Sequence, residues 1–168
     1  LILVSGVPGS GKTLVCMRAV HSEALDDFST NRRGGKPTVP GLYMTGNGPL
    51  SEVLQYQLGK DQQGIGQTFV RHIKGYLDRY VTKSDLVPAE HLLVFDEAQR
   101  AFSADKVADT HKNWPTSMIA SEPELFVNIC DRMPDWSVLI GLIGSGQEIH
   151  VGEEEGLVQW KLSLIHIC

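Results

Sequence analysis

The 168 residues amount to one domain, long enough to enclose a core. With 42% apolar and 21% charged residues the composition is that of an ordinary folded protein, which excludes a disordered or fibrous chain. The formal charge of −5 is uneven, since eight of the 20 acids but two of the 15 bases lie beyond Ala120, so charge alone neither demands nor excludes a polyanionic partner.

Leu1 to Ser5 reads as a short buried strand ending in Gly6, with a helix from Lys12 carrying Leu14, Val15, Met17 and Val20. A Gly-, Pro- and base-rich loop over Thr30 to Pro40 leads to a second strand, Leu42 to Thr45. Pro49 then opens a helix with Leu50, Val53, Leu54 and Leu58 on one face, ending at Gly59. After a loop from Asp61 to Gly66, a single amphipathic helix is expected to place Phe69, Val70, Ile73, Leu77, Tyr80 and Val81 on one side. Leu92 to Phe95 is the continuous apolar run of a parallel strand covered on both faces. Ser103 to Ala120 reads as polar and irregular. Ser121-Glu122-Pro123-Glu124 has the form of a capping box before a helix with Leu125, Phe126, Ile129 and Cys130 inward, and Ser137 to Ile143 is the last strand. Strands alternating with helices predict an α/β fold with a mostly parallel sheet, whose ligands bind at the C-terminal strand ends.

The turns at those ends carry the chemistry. Gly6-Val7-Pro8-Gly9-Ser10-Gly11-Lys12-Thr13 is a complete G-x-x-x-x-G-K-[ST] between strand and helix. Its glycines let backbone N–H groups converge on phosphate, Lys12 reaches the β/γ-phosphates, and the Thr13 hydroxyl is a Mg²⁺ ligand. Asp96, at the end of an apolar strand, is the matching Walker B carboxylate for Mg²⁺, and Glu97 beside it is the group that activates water. Gln147, after Gly144-Ser145-Gly146, is the candidate γ-phosphate sensor; a plain turn is the alternative. Thr45-Gly46-Asn47 could meet a nucleic-acid backbone or be a generic turn, and Arg32, Arg33, Lys36, Arg71, Lys74, Arg79 and Lys83 read first as solvated surface. Thr82-Lys83-Ser84-Asp85 imitates a guanine-reading motif but precedes Asp96, the wrong order for a GTPase.

Cys16, Cys130 and Cys168 form no Cys-x-x-Cys pair, and the six histidines no metal motif, which suits a reduced compartment without structural metal. The longest apolar run, Val138 to Ile143, is far shorter than the roughly 20 residues of a membrane span. Leu1-Ile2-Leu3-Val4 has no basic lead or cleavage site, so a cytoplasmic protein with no membrane partner is expected.

With GVPGSGKT, the stretches TGNGPLSEVL, LLVFDEAQRAF, SEPELFVNICDRMPDWSVLIGLIGSGQEIH and GEEEGLVQW resemble the Schlafen group 3-like DNA/RNA helicase domain family, from about Leu3 to Trp160. The resemblance implies a RecA-like P-loop NTPase lobe over 1–161, with ATP and Mg²⁺ as cofactors. It makes Asp96 and Glu97 helicase motif II, Gln147 motif III and Thr45-Gly46-Asn47 the single-strand-contacting motif Ia. It also implies an incomplete motor, whose partners are single-stranded DNA or RNA and a second RecA-like lobe bearing an arginine finger, and whose hydrolysis alone is about 10³- to 10⁵-fold slower. Residues 162–168 depart from the family pattern and read as a tail of separate origin. Two other readings stay open: a P-loop ATPase driving assembly, export or signalling without nucleic acid, and a nucleotide-binding module that does not hydrolyse.

Overall fold

The computed structural model describes residues 1–28, 40–61, 69–144 and 154–165. Gln147 and its turn beyond Gly144, the basic residues Arg32, Arg33 and Lys36, and most of the loop read between Asp61 and Gly66 lie outside the described residues. Five strands, β1 (Ile2–Gly6), β2 (Gly41–Thr45), β3 (Val70–His72), β4 (Leu92–Phe95) and β5 (Val138–Gly144), form one sheet in the order β1-β5-β4-β2-β3. Every pairing is parallel. The helices are α1 (Lys12–Val20), α2 (Gly48–Asp61), α3 (Ile73–Val81), α4 (Ala104–Thr110), α5 (Glu122–Cys130) and α6 (Glu154–Ile165).

Parallel strands covered on both faces send alternate side chains to two cores. Leu42, Met44, Leu93, Phe95 and Leu139 pack with Tyr76 and Leu77 of α3, Phe126 and Ile129 of α5 and Trp160 of α6. Tyr43, Leu92, Val94 and Leu142 face Cys16 and Val20 of α1, with Leu54 of α2 against them. At Gly41 the C-terminal end of α1 comes so near that a Cβ would lie 2.8 Å from the Val20 Cα and carbonyl oxygen.

The expected β-α alternation holds, but several local expectations do not. The segment expected as one helix from Phe69 begins as strand β3, and α3 starts only at Ile73, capped by His72 Nδ1 accepting from the Lys74 N–H. Val70, Ile73 and Leu77 happen to fall at helical spacing, so the strand's one inward residue imitated an extra helical turn. The expected irregular stretch after Ser103 contains α4, whose single buried residue, Val107, leaves no periodicity to read. Leu14 and Val15 face outward from α1, whose buried residues are Cys16 and Val20, and Val53 faces outward from α2. Helix α2 runs past Gly59 to Asp61 and is tied to the sheet by Gln55 Nε2 donating to the Val70 carbonyl. Strand β1 is not buried as expected. It is an edge strand among the described residues, and Ile2 is 51% exposed. Helix α6 runs through Leu162 without a break.

Candidate functional site

Gly9 and Gly11 hold φ of 76° and 84°, left-handed values that L side chains rarely adopt. They bend the chain over Ser10 N–H···O=C Val7, 3.2 Å, and set Gly11 as the N-cap of α1. No side chain caps this end and no acid lies in its first turn, so the first amides of α1 keep their positive end for an anion. Lys12 lies over its own loop, with Nζ donating to the carbonyls of Gly6 at 2.5 Å and Val7 at 3.0 Å.

Strand β4 ends at Phe95, and Asp96 follows with its N–H on the Met44 carbonyl of β2, 2.8 Å. Its carboxylate is held from two sides: Oδ1 accepts from the Glu97 N–H at 3.0 Å, and Oδ2 accepts from the Tyr43 hydroxyl at 2.5 Å. Glu97 does not continue the pleat. It sits at φ 53°, ψ 45°, a left-handed conformation costing a non-glycine residue on the order of 1–2 kcal/mol, and Arg100 Nη1 lies 3.5 Å from its Oε2.

Lys12 and Thr13 from the glycine loop and Asp96 and Glu97 from the end of β4 thus line one cavity of about 230 Å³, closed by Pro8, Gly9, Leu50, Gln99, Leu142 and Gly144. Gln99 was not foreseen. It is buried, its Oε1 accepts from the Gly144 N–H at 3.1 Å, and its Nε2 has no hydrogen-bond partner among the described residues. An orphaned buried donor beside a lysine, an uncapped helix start and one strand-end carboxylate is a donor set that fits a polyphosphate with a hard cation. No local pattern marks Gln99, since it stands among charged neighbours in Asp96-Glu97-Ala98-Gln99-Arg100.

Tyr43 was not foreseen either. It lies in the middle of the wholly buried β2, and burial, then the Asp96 charge and hydrogen bond, push its phenol far above the ordinary tyrosine range, while hydrogen bonding from Thr13 opposes the shift. Beneath Asp96, burial first and the Asp96 charge second raise the Cys16 thiol, which keeps it protonated and unreactive.

A second cavity, about 510 Å³, shares Asp96 and Glu97 with the first and extends over the ends of β2 and β3, lined by Gly46, Asn47, His72, Ile73, Lys74, Phe95, Arg100, Phe102, Thr110, His111 and Glu122. Of the three candidate strand-contacting residues, Gly46 and Asn47 line it and Thr45 does not. Thr45 is buried, its Oγ1 accepting from the Asn47 N–H, while Asn47 Oδ1 caps the start of α2 through the Leu50 N–H. Arg71 is engaged with the buried Glu90 at 3.0 Å, and Arg79 stacks over the Tyr80 ring; among the described candidate bases, Lys74 lines the cavity.

An all-parallel sheet flanked by helices, with a glycine loop after β1 and two acids after β4 meeting at the C-terminal edge, is the architecture of a RecA-like lobe. The model of the Schlafen group 3, DNA/RNA helicase domain family matches residues 1–166, and the chain belongs to that family. A search of curated proteins finds no significant match. Among the described residues, no helix is long and apolar enough to cross a membrane.

Proposed function

We propose that this chain binds Mg²⁺-ATP and hydrolyses it as the first motor lobe of a DNA/RNA helicase or translocase. The observation that carries the reading is the convergence of Lys12, Thr13, Asp96, Glu97 and the orphaned Gln99 Nε2 on one cavity at the C-terminal edge of the sheet. Lys12 would exchange the Gly6 and Val7 carbonyls for phosphate oxygens, joined by the first amides of α1 and by Gln99 Nε2. Thr13 and Asp96 would hold the Mg²⁺, which would supply positive charge against the charge that develops on phosphate in transfer. Glu97, half-open to solvent and beside this cavity, would orient the attacking water and accept its proton.

The family supports the nucleic-acid half of the reading. So does the second cavity, where Lys74, the Asn47 side chain and the apolar walls of Ile73 and Phe102 suit a single strand, with phosphate outside and base inside. Because that cavity also touches Asp96 and Glu97, a strand bound there would lie against the acids that act on nucleotide. The test is steady-state ATP turnover by the protein with and without single-stranded DNA or RNA, in the parent sequence and in Glu97→Gln. Turnover should rise with strand and fall about 10²- to 10⁴-fold in the variant, with nucleotide affinity retained. Turnover indifferent to Glu97→Gln would make the chain a non-hydrolysing nucleotide module. Turnover indifferent to every strand would remove nucleic acid from the mechanism.

A further inference from the structure

We propose that Tyr43 is a positioning residue for the metal-binding carboxylate, its hydroxyl fixing Asp96 in the orientation that receives Mg²⁺. The inference rests on the Mg²⁺-nucleotide reading above and adds a residue from outside both the glycine loop and the acid-tipped strand.

Tyr43 is fully buried on β2, between Val94 of β4 and Val70 of β3 in register, and it belongs to the core beneath α1. A buried phenol must place its O–H on an acceptor. This one spans from the sheet face to the strand end and donates to Asp96 Oδ2 at 2.5 Å. With Oδ1 accepting from the Glu97 N–H, both Asp96 oxygens are tethered, so the carboxylate plane is set before any ligand arrives.

The chemistry of the carboxylate explains why a phenol suits this position. A carboxylate that binds a cation through one lone pair is oriented by donors on its others, and the Tyr43 O–H is such a donor. Tyr43 therefore orients a ligand that lies 53 residues further along the chain. Phenylalanine would fill the same volume and lose the donor.

The test compares nucleotide binding by the parent protein and Tyr43→Phe, using a fluorescent ATP analogue across a range of free Mg²⁺ and in excess EDTA. The Mg²⁺ concentration at half-effect should rise about 10- to 100-fold in Tyr43→Phe, the usual cost of losing a partner that orients a metal ligand, while affinity in EDTA stays within about two-fold. A double-mutant cycle adds an independent readout. In an Asp96→Asn background, Tyr43→Phe should shift the Mg²⁺ dependence little further, because the two residues act through one contact. An unchanged Mg²⁺ midpoint overturns the proposal, as does full additivity in the cycle. Loss of folding or of metal-free binding in Tyr43→Phe would assign Tyr43 a structural role and overturn it too. A parent protein that binds nucleotide with no Mg²⁺ dependence, or binds none, defeats the functional reading itself, a separate result.

Discussion

Glu122 shows how a single carboxyl can set the pH response of this fold. Its backbone N–H donates to the Phe102 carbonyl at 2.9 Å and its Oε2 accepts from the Phe102 N–H at 2.9 Å, so it latches the segment after Glu97 to the start of α5. Burial raises its pKa from an ordinary 4.5 to about 7, with the Phe102 bond opposing. The sign follows from the raised value. Below about pH 4.5 both folded and unfolded chains hold the proton; between there and pH 7 only the folded chain keeps it, so this residue's contribution falls as pH rises through that window. The full change is on the order of 3 kcal/mol. Glu122→Gln keeps the acceptor for Phe102 and cannot ionise, so in denaturant titrations its stability relative to the parent should increase from pH 5 to pH 8. A difference that stays constant over that range would show that Glu122 is already ionised in the folded state.

At the scale of elements, close packing between α1 and β2 is concentrated at Gly41. Gly41→Ala would drive a methyl into the Val20 backbone, which cannot rotate aside, and should cost about 1–3 kcal/mol, read as a lowered urea midpoint with an unchanged slope. A neutral outcome would mean that α1 shifts freely, and with it the glycine loop. Elements were legible where one signal dominated: the uninterrupted Leu92–Phe95 run, the Gly6–Thr13 spacing, and Ser121, whose Oγ does accept from the Glu124 N–H. They were not legible where two periods coincided, as at Val70 and Ile73, or where a short helix buries only Val107. The site divided along the same line. Its loop and acids are local patterns, whereas Tyr43 and Gln99 meet it only through pairing of β2 with β4 and of Gln99 with Gly144, contacts that no local spacing encodes.

At the scale of the whole molecule, β4 lies at the centre of the sheet and β1 at one edge of it among the described residues. Strand β1 has β5 as its one neighbour among the described residues, and exposes Ile2 together with Leu14 and Val15 of the adjoining α1. An apolar edge strand with one strand neighbour among the described residues invites another strand. Light scattering after size exclusion should show concentration-dependent association of this chain that Ile2→Lys reduces, with thermal stability nearly unchanged. Association indifferent to that charge would place the contact elsewhere.

The two cavities meet at Asp96 and Glu97, so the decisive property of the molecule is what the smaller one holds. Isothermal titration of the folded chain with ATP, with and without Mg²⁺, measures it most directly. The fold and donor set predict saturable one-site binding that Mg²⁺ tightens and that Lys12→Ala or Asp96→Asn weakens. Heats that show no saturable binding, or binding untouched by Mg²⁺ and by both substitutions, would contradict a phosphate- and metal-holding site at the end of β1 and β4.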